Sequence, residues 1–117
     1  MPPLDLAPLA LMLAGHALAD YPLQGDWLSR AKNPWLSPVP GERVWSGALA
    51  CHAGIHAGAV WLATGSWLLA GAELLAHAGI DLAKCAGRLT YNRDQALHGA
   101  CKVACWAALA AGGGALP

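Results

Sequence analysis

The sequence predicts an all-α fold, an integral-membrane four-helix bundle, and three observations carry that prediction. Hydrophobic residues make up 56% of the 117-residue chain and charged residues only 12%. Residues 44–72 contain no Asp, Glu, Lys or Arg, a run that holds most of a transmembrane hairpin, since one crossing takes about 20 predominantly apolar residues. Every histidine lies four residues from another histidine or an aspartate, the spacing that places two side chains on one helix face.

The first helix is predicted at residues 4–21. Its leading Met1-Pro2-Pro3-Leu4-Asp5 lacks the positive stretch of a secretory signal, so the apolar segment is expected to be retained as a helix. Residues 25–42 are polar and carry Pro34, Pro38 and Pro40, which reads as an ordered or interfacial loop. The second and third helices are predicted at residues 45–63 and 67–85, joined by a tight turn, and the fourth at residues 93–111. Together they form a single transmembrane domain over residues 1–117. Alanine and glycine dominate these segments and permit close helix approach through patterns such as Gly54-x-x-x-Gly58. Trp27, Trp35 and Trp45 lie in the first connection or at its end, and Trp61 and Trp67 flank the second turn, as interfacial belts do. The mean hydropathy of +0.40 leaves a compact soluble bundle as the alternative.

A formal net charge of zero argues against a nucleic-acid surface. The placement of charge is more informative. Arg30, Lys32 and Arg43 fall in the first connection, Lys84, Arg88 and Arg93 in or near the third, and none in the second. The positive-inside rule then makes the first and third connections cytoplasmic and puts both termini outside a multi-pass protein of the cytoplasmic membrane. Membrane lipid is the expected surrounding partner.

That arrangement brings the histidine pairs to one depth. His16 and Asp20 end the first helix, His52 and His56 lie in the near half of the second, His77 and Asp81 end the third, and Asp94 and His98 open the fourth. At 1.5 Å per residue they share a layer roughly 15 Å thick. Imidazole and carboxylate at i and i+4 can approach one metal ion, and four-helix bundles build dinuclear sites from such inward-facing pairs. The eight residues are therefore candidate ligands for one or two divalent transition-metal ions, with zinc, manganese and iron all compatible. The alternative is a hydrogen-bonded polar layer without metal. Glu73 and Lys102 continue these faces toward mid-depth, where an ion pair is the simplest expectation and an outer ligand or proton carrier the alternative. Cys51, Cys85, Cys101 and Cys105 form neither a Cys-x-x-Cys pair nor a disulfide framework. They read as small packing residues, with Cys101 and Cys105 open to a role as soft ligands.

The ordered set His16-x-x-x-Asp20-x-x-x-Gln24 with Asp26-Trp27, His52-Ala53-Gly54-Ile55-His56, His77-Ala78-Gly79-Ile80-Asp81 and Asp94-Gln95-Ala96-Leu97-His98 resembles the family called domain of unknown function 3307. These are small multi-pass membrane proteins of bacteria and their phages. The resemblance spans residues 11–106 and implies a helical protein of the bacterial inner membrane with these polar positions, including Gln24 and Gln95, as its signature. Gln24 and Gln95 are then expected to orient the ligands by hydrogen bonding. The family brings no established activity, so function rests on chemistry. One reading is a metal-dependent hydrolase acting on an ester or phosphoester near the cytoplasmic leaflet, with Lys84, Arg88 or Arg93 as anion contacts. The others are a metal-ion or proton transport or sensing protein, and an accessory protein whose polar layer fixes helix register. An open position facing a cleft favours the first, and a continuous polar path through Glu73 and Lys102 favours transport.

Overall fold

The computed structural model describes residues 3–117, so Met1 and Pro2 of the N-terminal stretch read above lie outside it. Five helices follow in order: α1 (Ala7–Asp20), α2 (Gly25–Ala31), α3 (Trp45–Thr64), α4 (Trp67–Cys85) and α5 (Tyr91–Ala111). Among the described residues there are no strands, as the all-α prediction requires.

Local chemistry explains the boundaries. Pro8 occupies the first turn of α1, where its missing N–H costs no helical bond. Gly65 adopts φ 71°, left-handed, and its N–H bonds the Trp61 carbonyl to end α3, a conformation open to glycine at little steric cost. The next residue, Ser66, caps α4 by accepting from the Leu69 N–H at 3.1 Å, and Thr90 caps α5 by accepting from Arg93 at 3.3 Å. A two-residue connection between α3 and α4 forces them to run antiparallel.

The four long helices close into a ring in which α1 packs on α3 and α5, α3 on α4, and α4 on α5, while α2 rests against α3. Gly15 permits the α1–α3 approach, because a Cβ there would lie 2.9 Å from the Ala59 Cβ. Gly54 and Gly58, read above as the close-approach pair, face open space instead. At one end of the bundle Met12, Val60, Leu69, Cys105 and Leu109 form an apolar core. Apart from Ala19, Ala31, Leu49 and Ala53, the rest of the interior is polar: His52, His56, Glu73, His77, His98 and Lys102 are essentially inaccessible, while Leu62, Leu75 and Trp67 are exposed.

The membrane expectation is corrected. Among the described residues no helix is long and apolar enough to cross a membrane, which overturns the multi-pass placement in a bacterial inner membrane with both termini outside. Helix α1 has only 14 residues, about 21 Å against a hydrocarbon core of about 30 Å. Helix α5 carries Arg93, Asp94 and Lys102, and α4 carries Glu73, Asp81 and Lys84. Alanine and glycine in the remaining positions add too little hydropathy to offset them. The basic residues lose their meaning as topology markers, and one of them, Lys32, is buried.

Candidate metal centre

Each long helix contributes side chains one turn apart, and the helices align these turns. Nearest the α2 end lie Asp20, His52, Asp81 and Asp94. One turn deeper lie His16, His56, His77 and His98, one from each long helix. Their rings close a square: centroids are 5.0 Å apart for His16–His56, 3.6 Å for His56–His77, 4.2 Å for His77–His98 and 5.2 Å for His98–His16. His52 joins from above, 4.8 Å from His56 and 5.1 Å from His77. All eight sequence-predicted residues thus converge.

The carboxylates bridge the square. Asp20 Oδ1 contacts His56 Nε2 at 2.9 Å and His52 Nε2 at 3.2 Å, and its Oδ2 accepts from Gln95 Nε2 at 2.8 Å. Asp81 lies 3.3 Å from His98 Nε2 and 3.5 Å from His77 Nε2. Asp94 Oδ1 lies 3.4 Å from His98 Nε2, and its Oδ2 accepts from Gln95. Gln95 also meets His16 Nε2 at 3.0 Å, so it contacts three of the candidate ligands. Gln24 makes no such bond: its Oε1 is buried without a partner beside Asp20 on a neighbouring cleft.

Charge and burial act in opposition. Burial alone would raise Asp20, but His52, His56 and Gln95 outweigh it and hold the carboxyl far below its ordinary range. Asp81 behaves alike, its burial outweighed by His77, His98 and Lys32. Burial lowers His16 despite Gln95 and Asp20, and lowers His56 to about 4 despite its bond to Asp20. For His98 burial loses to Asp81 and Asp94, and the ring is pushed up to about 9. Ionised carboxylates and the neutral rings of His16 and His56 are in the protonation states in which these groups bind metal, whereas His98 must first give up a proton.

Many donors and acceptors remain unsatisfied. Both ring nitrogens of His52 and His77, Nδ1 of His16, His56 and His98, and Oδ1 of Asp94 are buried without a hydrogen-bond partner. Such a group costs about 1–3 kcal/mol. Asp20, His52, His56 and His77 each offer a ligand atom within 4.8 Å of the others, and so do the sets His16/His77/His98 and Asp20/Asp94/His98. These buried groups could hold a metal ion. No cysteine belongs to any of these sets; Cys105 packs in the apolar core, and Cys51 is exposed.

Lys32 reaches the cluster although the sequence did not single it out as part of it. Its ammonium lies 2.6 Å from Asp81 Oδ2, carried there by α2, which falls in the segment expected to be a loop. Deeper in the bundle Lys102 pairs with Glu73, and Glu73 Oε1 approaches His77 Nδ1 at 3.4 Å. His77 and Lys102 overcome the burial of Glu73 and hold its carboxyl below its usual value. One turn beyond this pair stand Leu69 and Cys105 of the apolar core, so the polar layer is closed at that end. At the other end it meets a cleft of about 360 Å³ lined by Asp20, Asp81, Asp94, Lys32, Lys84 and Arg30 among others. Arg88 and Arg93 do not line it. No family model, curated protein or solved structure matches the chain.

Proposed function

We propose that this protein binds one or two divalent transition-metal ions at the His/Asp cluster and uses them to hydrolyse an ester or phosphoester admitted through the cleft. The observation that carries the reading is five buried imidazoles packed together among three carboxylates, with four ring nitrogens, Nδ1 of His16, His52, His56 and His98, that meet neither a hydrogen-bond partner nor a carboxylate. A hydrogen-bonded layer built from these side chains alone leaves those nitrogens without a partner, and a metal ion would give them one. Nitrogen and carboxylate donors suit zinc, manganese and iron.

Bound there, such ions would supply Lewis acidity and lower the pKa of water toward neutrality. The chain's own residues set the rest. Gln95 fixes the orientation of Asp20 and Asp94, and the cleft lets water and substrate reach the carboxylate side of the cluster. The apolar core behind Glu73 and Lys102 argues against the transport reading, which needs a polar path through the bundle.

Purified protein is expected to contain at least about half an equivalent of metal, reduced by His52→Ala and by Asp81→Ala. Metal-loaded protein is then assayed against carboxylate and phosphate esters, with turnover expected to fall in the same variants. A folded, metal-free preparation that takes up neither zinc, manganese nor iron supports the hydrogen-bonded layer instead.

A further inference from the structure

We propose that the cleft beside the cluster is a seat for a phosphate-type oxyanion, held by Lys32, Lys84 and Arg30 when metal occupies the His/Asp cluster. The inference rests on the metal reading above and adds the chemical class of what the cleft receives. Its first support is placement. The three basic side chains line the same space as Asp20, Asp81 and Asp94, so an anion there would touch the cations on one side and the candidate ligands on the other. Arg30 stands on the rim, steadied by Asp26 at 3.0 Å. Lys84 lies 3.9 Å from Asp94 and 5.1 Å from the centre of the Tyr91 ring.

Lys32 provides the second support. Lysine is rarely buried without a partner, and the partner here is Asp81, which also lies 3.3 Å from His98 Nε2 and 3.5 Å from His77 Nε2 although it belongs to none of the three compact sets that could hold an ion. A divalent ion held by those histidines would weaken the pull of Asp81 on the ammonium, since it offsets the carboxylate's charge. Lys32, fixed at the end of α2 with its amine at the cleft wall, would then have donors to offer a second acceptor. Lysine and arginine only donate hydrogen bonds, so an incoming anion must provide the oxygens. A phosphate group offers enough of them to face three cations and a metal at once, where a carboxylate has two.

Charge gives the third support. Asp20, Asp81, Asp94 and Glu73 oppose Lys32, Lys84 and Lys102, leaving one net negative charge once His98 has given up its proton, as an imidazole must to bind metal. One divalent ion turns that into one net positive charge, and a second into three. A surplus of positive charge in a largely buried layer attracts an anion to its open side. The volume of about 360 Å³ falls within the range of about 300–1,000 Å³ typical of small-molecule sites, so an organic group can accompany the phosphate.

The test uses the full chain loaded with Mn²⁺, with orthophosphate and phenyl phosphate as probes. Metal content, phosphate affinity and manganese-induced broadening of the ³¹P signal are measured on the same samples. Broadening is expected, with affinity lowered about tenfold or more in Lys32→Met and in Lys84→Met, while both variants keep their manganese. Arg88→Met, outside the cleft, should match the parent protein. Binding of orthophosphate alone identifies a free anion as the occupant, and tighter binding of phenyl phosphate identifies an ester; either supports the seat. Full manganese occupancy without ³¹P broadening, or binding that Lys32→Met and Lys84→Met leave unchanged, overturns the oxyanion seat and leaves the metal reading standing. Absence of manganese uptake overturns both, and the metal measurement alone reveals it. If Lys32→Met does not fold, Lys84→Met and Arg30→Met decide the outcome.

Discussion

Asp20 and Asp81 each face several imidazoles at once, and that sharing sets how the metal-free protein responds to pH. Both carboxyls are held below their ordinary range by their partners, so their stabilisation is present above about pH 4 and is lost as pH falls below it. His56, lowered from 6.5 to about 4, takes up its proton more readily in the unfolded chain, so stability already declines as pH drops below 6.5. His98 acts in the opposite direction. Raised from 6.5 to about 9, it contributes fully below pH 6.5 and loses that contribution as pH rises to about 9. The urea midpoint of metal-free protein is therefore expected to peak near pH 6.5, and His98→Gln to flatten the alkaline decline while keeping the acidic one. A variant that retains the alkaline decline would remove His98 as its cause.

At the level of the helices, contact distance decides which glycines matter. A methyl group at Gly15 would meet the Ala59 Cβ at 2.9 Å, so Gly15→Ala separates α1 from α3 and strains the tilted contact between the His16 and His56 rings. Overpacking of this kind costs about 1–3 kcal/mol, against a gain of about 1 kcal/mol in helix propensity. Gly58→Ala meets open space and is expected to stabilise by about 0.5–1 kcal/mol. Chemical denaturation checks the pair: Gly15→Ala should lower the midpoint, Gly58→Ala should raise it, and Gly15→Ala with Ala59→Gly should recover part of the loss. Equal effects of the two alanine substitutions would show that α1 and α3 do not meet at Gly15.

Across the whole molecule, polarity is distributed unusually: charged and imidazole groups fill much of the interior while many leucines and tryptophans remain outside. Such an interior is stable only when its charges are matched. Glu73 and Lys102 match each other at 1% exposure apiece, between the imidazole square and the apolar core. Lys102→Met strands a buried carboxylate beside His77 and is expected to cost about 3–5 kcal/mol. Glu73→Leu combined with Lys102→Met removes both charges and should recover most of that loss in thermal unfolding. A double variant as unstable as the single one would mean that the pair does more than neutralise itself, with its contact to His77 as the next residue to vary.

Local pattern made much of this protein legible. The four long helices end within three residues of their predicted limits, because caps such as Ser66 and breakers such as Gly65 act over one turn. The eight candidate ligands were readable because i,i+4 spacing fixes which side chains share a face wherever the helix lies. Tertiary contacts settled matters that no local pattern contains. Helix α2 has seven residues, too short to be stable alone; its packing on α3 carries Lys32 to Asp81, so neither was readable from chain order. Gly15, rather than Gly54 or Gly58, marks the close approach because helix rotation and crossing depend on every packed side chain together. Asp20 contacts His56 and His52 more closely than its own-turn neighbour His16, since one turn restricts direction and only the facing helix supplies the partner. The long uncharged run suggested membrane spans, yet a helix face says nothing of its surroundings: the polar residues gathered inward lower the hydropathy of the longer helices below that of a span, and α1 is too short.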